Sequence, residues 1–352
     1  MKVLYFGSYS RANPRNAVLM KGLEKNGVII LECNDRSKSF VVKYIKLFFK
    51  YLKYIGKFDV MLVGFSGQEM MPLARILTRK PIVFDVFTSH YMGYILDRKY
   101  FSPRSLRAKY YRFIDRISCR LADVLLLDTQ AHIDYFVKEL HVPARKFRKI
   151  WLGANSDVYY PVERVSRVVE TSSQIVFWGN FIPLQGVEII IKAAKILEDK
   201  NVTFYLVGRG QMLAASEQLS RTFGLKNVQF PGWVSYDDLR NYIAGADICL
   251  GVFSGGIKAD VTIQNKIFES LAMRKALITA GTTASRELLT DGENCLLCKA
   301  ADPEDLADKI SLLLRDQELR KRIADNGYRL FMDRLTEKKL GNELVRILEK
   351  IT

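Results

Sequence analysis

One rhythm constrains the fold of this chain more than any other feature. A short, near-continuous apolar segment is followed by a longer helical stretch, and the pair repeats through both halves. In the first half the apolar segments are Val3–Phe6, Val28–Leu31, Val60–Val63, Ile82–Val86 and Val124–Leu127, with Lys149–Leu152 as a further candidate. In the second half they are Ile175–Trp178, Phe204–Val207, Val228–Phe230, Ile248–Val252, Leu277–Thr279 and the candidate Cys295–Leu297. Segments with no polar alternation suit parallel strands covered on both faces. Strand then helix, repeated, is the doubly wound α/β pattern. The chain is therefore predicted to form two Rossmann-like domains facing each other across a cleft, and 352 residues suit two domains. The boundaries read as an N-terminal domain over 1–160, a C-terminal domain over 161–335 and a closing helix over 336–352. The junction falls at Tyr159-Tyr160-Pro161-Val162, and Glu163–Ser173, rich in Ser, Thr and charge, reads as a linker.

Several classes drop out. Met1 to Gly7 reads as a buried strand running into a glycine turn, too short for a signal peptide core. No uncharged apolar run reaches the roughly 18–20 residues of a membrane span. The expectation is a cytoplasmic chain, free or held peripherally on the cytoplasmic face of a membrane. The five scattered cysteines argue against a disulfide framework. Cys295 and Cys298 form a lone C-x-x-C without a second ligand pair, so they read as small core residues and no metal site is expected.

Charge is distributed unevenly. Residues 1–160 hold 28 Lys and Arg against 13 Asp and Glu, which leaves 26 and 25 for the rest of the chain. Nearly all of the formal +16 thus sits in the first half, which should meet something anionic. The segment Lys38–Lys57 concentrates it, with no acid between Asp35 and Asp59. Lys43, Lys46, Lys50, Lys53 and Lys57 recur at spacings of three and four, on one helical face within roughly 80°. Phe48 and Phe49 belong to an apolar arc wider than a sheet-facing stripe needs. An ordinary amphipathic helix with solvated lysines would explain part of this pattern. A helix lying on an anionic bilayer explains all of it. No helix-turn-helix, RRM or zinc pattern accompanies the charge, so nucleic acid is not the expected partner.

Open α/β sheets bind ligands at the carboxyl ends of their strands. After Ile175–Trp178 comes Gly179-Asn180-Phe181, and a helix starts at Val187. After Phe204–Val207 comes Gly208-Arg209-Gly210. Both turns allow close backbone approach, and a helix start offers free N–H groups and a positive dipole end to a diphosphate. A further helix is predicted from Asn265 to about Met273, with Lys266 and Glu269 three apart on one face near its start. They are either an exposed ion pair or a phosphate-binding lysine beside a ribose-binding acid. In the first half, Asp85 and His90 follow the fourth strand, and His132 follows Asp128-Thr129-Gln130 at the next strand end. His132 either caps its helix or lines an acceptor pocket. Tyr9, Arg11 and Arg15 lie in the first turn of this half.

Taken in order, these segments resemble the GT-B glycosyltransferases, specifically retaining family 4, over nearly the full length. The stretch Asn265-Lys266-Ile267-Phe268-Glu269-Ser270-Leu271-Ala272-Met273, followed by Lys275-Ala276-Leu277-Ile278, resembles the family's donor-binding helix and next strand. Glu269 matches the second glutamate of its E-x7-E signature, which binds the donor ribose. Trp151-Leu152-Gly153-Ala154-Asn155 with Tyr160-Pro161 is similar to the interdomain junction, and Asp291-Gly292-Glu293-Asn294 to a family turn. Phe230-Pro231-Gly232-Trp233-Val234 resembles the loop that contacts the base, so Trp233 and Val234 join the expected donor site.

The departures concern the reacting groups. Eight residues before Glu269 the family has a glutamate, and here stands Val261, with Asp260 beside it. The family's Arg and Lys that clamp the diphosphate fall at Asn180 and Gln185. Lys266, the helix starts, and Lys258 or Arg209 are left to meet the phosphates. The family histidine aligns near Phe87, with His90 three residues on. The resemblance implies catalytic roles for His90, Asp85 and Lys266, and acceptor or phosphate contacts for Arg15 and His132. It implies a nucleoside diphosphate sugar donor, a saccharide or lipid-linked acceptor, retention, and no cofactor or essential metal. Its pathway would be envelope polysaccharide or glycolipid assembly. The alternatives are a sugar-nucleotide epimerase, for which no acid and base pair is evident, a non-catalytic homologue acting as a partner subunit, and a nucleic-acid-binding protein, for which no motif is evident.

Overall fold

The computed structural model describes residues 1–162 and 172–352, so most of the expected linker Glu163–Ser173 lies outside the described residues. The chain divides into two compact units, Met1–Asn155 with Leu335–Thr352, and Ser156–Arg334.

The first unit is built on six parallel strands, β1 (Lys2–Gly7), β2 (Ile29–Asn34), β3 (Val60–Val63), β4 (Ile82–Asp85), β5 (Val124–Leu127) and β6 (Phe147–Lys149). Their order is β2-β1-β3-β4-β5-β6. β3, β4 and β5 are buried at every position, which is why β3 and β5 read as unbroken apolar runs and β4 as one broken only by Asp85 at its end. β6 precedes the expected Lys149–Leu152. Phe147 enters the core against the Phe136 ring, while the carbonyls of Ile150 and Trp151 are taken by a side chain described below. The lysine-rich helix is Phe40–Leu52, capped by the Ser39 hydroxyl and ended at Lys53. It is shorter than Lys38–Lys57, and Lys57 lies in the turn beyond it. Ser105 and Thr129 cap the helices Leu106–Leu121 and Gln130–Leu140 in the same way.

The closing helix, Glu337–Glu349, belongs to this first unit. It crosses the helix Pro14–Lys25 at a glycine seam. A Cβ on Gly22 would lie 2.5 Å from the Glu337 carbonyl oxygen, and one on Gly341 would lie 2.1 Å from that of Gly22. The fully buried Glu337 carboxylate meets Lys25 at 2.7 Å and Lys21 at 3.1 Å. The division between the units accordingly follows Asn155 rather than residue 160. Tyr159 and Tyr160 lie in the second unit, where the Arg240 guanidinium stands over the Tyr160 ring.

The second unit repeats the plan with β7 (Ser173–Asn180), β8 (Val202–Arg209), β9 (Val228–Gly232), β10 (Ile248–Leu250), β11 (Ala276–Ala280) and β12 (Leu296–Cys298). Their order is β12-β11-β10-β7-β8-β9. The helix Val187–Ile196 contributes Val187, Ile190, Ile191 and Ala194 to the core between sheet and helices. All five cysteines are buried and free, including Cys295 and Cys298. Among the described residues no helix is long and apolar enough to cross a membrane.

Candidate active site

In the second unit the carboxyl ends of β7 and β8 run side by side, pairing Gly179 with Gly208 and Asn180 with Arg209. The pairing is tight. A Cβ on Gly208 would fall 1.9 Å from the Gly179 carbonyl oxygen, so only glycine fits there. The helix Asn265–Ala272 brings Lys266 to this place. Its ammonium lies 3.4 Å from where a Gly179 Cβ would stand and 3.6 Å from the centre of the Phe177 ring. It donates a hydrogen bond to the Gln185 side-chain oxygen. Lys266 is buried, and desolvation holds its pKa well below the usual lysine range, with the Glu269 charge opposing.

One turn further along the helix, the Glu269 carboxylate accepts a hydrogen bond from the Trp178 indole N–H at 2.6 Å. The Tyr159 hydroxyl bonds to it as well. Burial raises the Glu269 pKa, while Trp178, Lys266 and Tyr159 act in the opposite sense. Lys266 and Glu269 are thus not an exposed surface pair. A buried carboxylate held from two sides has fixed oxygens, which suits recognition of a diol. A buried ammonium flanked by glycine backbone suits a phosphate oxygen at short range.

The remaining expected donor residues separate into two groups. Arg209 is exposed and its guanidinium stacks over the Trp233 ring at 4.4 Å, joining the end of β8 to the loop after β9. Trp233 is 56% exposed, an unpaid apolar surface of the kind that receives a flat ligand. Val234 is partly buried beside it, Asn180 is exposed, Asn265 opens its helix and Lys258 is partly buried. Phe181 is different. It is fully buried between the rings of Phe177 and Phe230, so its side chain is core and not a ligand contact. Val261 is buried at the end of the helix Ile257–Val261. Asp260 does not replace the expected glutamate, because its oxygens accept the N–H and hydroxyl of Thr283 at 2.9 and 3.0 Å.

In the first unit the expected polar residues are buried and largely occupied. Arg15 and Asp85 form an ion pair at 2.9 Å with both side chains inaccessible. The same guanidinium donates to the carbonyls of Ile150 and Trp151. That is a corrected role for both: the pair ties the first helix to β4 and to the segment after β6, and offers no free group to a substrate. His132 is also fully buried, with its Nδ1 on the Asp128 carboxylate at 2.8 Å, and its backbone N–H receives the cap from Thr129. His90 packs against the Tyr94 and Tyr111 rings with its Nδ1 lacking a hydrogen-bond partner. Burial pushes His90 down to about 4, so the ring is neutral at pH 7. Beneath it Asp115, pushed up to about 6 by burial, accepts from the Ser89 hydroxyl and from the His90 and Tyr91 backbone N–H groups. Of the lysine row, Lys50 reaches Asp35 at 3.1 Å and Lys46 the Ser37 hydroxyl. Phe48 and Phe49 are exposed, as are Lys46, Lys50, Lys53 and Lys57, and Lys43 is partly buried. Among the described residues no group of three or more His, Cys, Asp or Glu side chains is placed to hold a metal ion.

The sequence did not announce Trp178, Tyr159 or Gln185 as partners of Glu269 and Lys266. Trp178 ends an apolar strand and Tyr159 sits in a junction. No spacing rule links positions 91 or 81 residues apart.

Known proteins resemble this chain in part of its sequence and in its fold. Residues 172–316 match the family model described as glycosyl transferases group 1. An uncharacterized glycosyltransferase of Methanocaldococcus jannaschii is 28% identical over 43% of this chain and 41% of its own length. The lipopolysaccharide core biosynthesis glycosyltransferase LpsE of Rhizobium meliloti is 26% identical over 48% of each. The chain thus spans under half the length of these two relatives. The Anabaena protein HepE, solved with UDP and glucose, superposes with a TM-score of 0.77 at 17% identity, covering 99% of this chain and 100% of its own. That likeness is one of fold.

Proposed function

We propose that this chain, which has the GT-B glycosyltransferase fold and carries a glycosyl transferases group 1 segment at residues 172–316, transfers a hexosyl group from a nucleoside diphosphate sugar. The acceptor is a saccharide or a lipid-linked saccharide, the product keeps the donor's anomeric configuration, and the pathway is envelope polysaccharide or glycolipid assembly. The observation that carries this reading is the buried Lys266 and Glu269 pair at the carboxyl ends of β7 and β8. Glu269, fixed by Trp178 and Tyr159, takes the ribose diol. Lys266, the Gly179 turn and the start of the helix at Asn265 meet the diphosphate. Arg209 and Trp233 take the base. Charge develops on the leaving diphosphate as the glycosidic bond breaks, and a preorganised ammonium and helix start stabilise it there. Same-face attack, in which a donor phosphate oxygen takes the acceptor proton, needs no protein nucleophile and no essential metal. The acceptor belongs to the basic first unit. That unit rests on the cytoplasmic face of an anionic membrane through Phe40–Leu52, whose Phe48 and Phe49 enter the interface while Lys43, Lys46, Lys50 and Lys53 meet headgroups.

UDP-, GDP- and ADP-sugars, with and without membrane lipid extract, decide the matter through release of nucleoside diphosphate. Release from one donor, unaffected by chelator and lost in Glu269→Ala, is expected. Two substitutions favour a second reading, a non-catalytic partner subunit: Val261 where a glutamate is expected, and uncharged Asn180 and Gln185 where cations are. Thermal stabilisation by a nucleotide with no release from any donor would establish that reading instead.

A further inference from the structure

We infer that the membrane-facing surface of the first unit is a two-helix footprint, an apolar strip with a cationic margin on each side, to which the helix Leu106–Leu121 contributes as much as Phe40–Leu52. The inference rests on the membrane reading above and extends it to residues outside the lysine-rich segment.

Each helix divides into three sectors at 100° per residue. On Phe40–Leu52 the sheet side is Leu47 and Tyr51, with Tyr44 partly buried. Turning one way from there come Val41, Ile45, Phe48, Leu52 and Phe49, all between 43% and 65% exposed. Beyond them, on the other flank, come the lysines. On Leu106–Leu121 the sheet side is Ala108, Asp115 and Cys119. Its solvent side carries Leu106, 82% exposed, Phe113, 62% exposed, and Tyr110 and Ile117 next to them. Lys109, Arg112, Arg116 and Arg120 form the flank. Neither apolar sector is needed to cover a sheet, since each helix already has a buried side.

Side-chain contacts orient the sectors. The lysine flank of the first helix turns toward the end of β2, where Lys50 meets Asn34 and Asp35 and Lys46 meets Ser37. The cationic flank of the second helix turns the opposite way, toward the helix Gln130–Leu140, where Arg112 donates to the Glu139 carbonyl and Arg116 to that of Leu140. The other sides of the two helices converge on one residue: the Tyr44 hydroxyl bonds to the Glu69 carbonyl and the Tyr110 hydroxyl to its carboxylate. The helix Met71–Leu77 that follows Glu69 adds Ile76, 81% exposed, in the gap. The apolar sectors therefore adjoin, and the cations lie outside them on both sides. Asp115 is the single acid from residue 98 to residue 122, and it is buried. A bilayer with anionic headgroups matches this layout: acyl chains receive the strip, and phosphates receive both margins.

The test is sedimentation of the full chain with vesicles of phosphatidylcholine, alone or with phosphatidylglycerol. The substituted residues are exposed apart from Arg116, which is partly buried, and thermal melts establish that the variants fold. Leu106→Ser/Phe113→Ser is expected to lower partition onto the anionic vesicles about tenfold, as is Phe48→Ser/Phe49→Ser. Arg112→Gln/Arg116→Gln lowers it about tenfold on anionic vesicles and leaves neutral vesicles unchanged. Undiminished binding by Leu106→Ser/Phe113→Ser, with loss in Phe48→Ser/Phe49→Ser, would confine the surface to one helix and overturn the inference while sparing the membrane reading. Absence of wild-type binding to both vesicle types would remove the membrane reading itself. Self-association of the wild type, abolished by either apolar pair without any vesicle binding, would make the strip an interface between copies.

Discussion

At the scale of single residues, the first unit holds one fully buried charge pair for structure. Arg15 and Asp85 are inaccessible, and the pair is stable because each neutralises the other. Arg15→Met leaves the Asp85 carboxylate buried and unpaired, at an expected cost of about 3–5 kcal/mol in urea unfolding. Adding Asp85→Leu recovers part of that loss, and the shortfall reflects the Ile150 and Trp151 carbonyls, which lose their donor. His90 makes a separate prediction. Its folded pKa of about 4 lies below the unfolded value of about 6.5, so the unfolded chain binds more protons between them. Stability contributed by the neutral ring is therefore complete above pH 6.5 and is lost as pH falls toward 4. Relative to wild type, His90→Phe should gain stability from pH 7 to pH 5, by about 2 kcal/mol at most. Asp115, raised to about 6, works in the opposite sense, but it is common to both proteins and cancels in the comparison. A relative stability that stays flat with pH would show that His90 is not buried as described.

At the scale of elements, the packing of helices without side chains between them sets the tolerances. Gly341 and Gly22 let two helices touch backbone to backbone, and a methyl group at 341 has nowhere to go. Gly341→Ala is expected to cost about 3 kcal/mol in thermal or urea unfolding. This seam was not legible in the sequence, because nothing in Gly22 or Gly341 distinguishes a close crossing from an ordinary helix glycine. The strands were legible, since β3 and β5 and the centres of β4 and β7 are apolar runs buried on both faces. β6 was misplaced because Lys149–Leu152 is more apolar than Phe147–Lys149, and hydrophobicity does not tell a strand from the segment after it. The pairing of Lys266 and Glu269 was readable, because they share one helix. Their partners Trp178, Tyr159 and Gln185 come from other elements and only the fold assembles them. Arg15, Asp85 and Phe181 misled for a related reason: a strand end is where ligands bind, but also where a sheet must close its core.

At the scale of the molecule, the two units differ in how the chain builds them. Ser156–Arg334 is one continuous stretch, while the first unit needs Met1–Asn155 and Leu335–Thr352 together. Ser156–Arg334 expressed alone should therefore unfold cooperatively as a single transition in circular dichroism. Met1–Asn155 alone should not, with the Gly22 face bare. Because Ala154 and Thr336 are bridged partners, a short loop from Asn155 to Leu335 should restore a cooperative first unit. A loop-joined protein that still melts without cooperativity would mean that the first unit depends on the second.

The returning helix also orders events during synthesis. Domains are ordinarily finished in the order in which the ribosome makes them. Here the six strands of the first sheet emerge early, yet the partner for Gly22 and the acid for Lys21 and Lys25 are translated after the whole of the second unit. The nascent chain must carry a nearly finished sheet with one uncovered helix while a second one folds behind it, so the part made first is the part completed last.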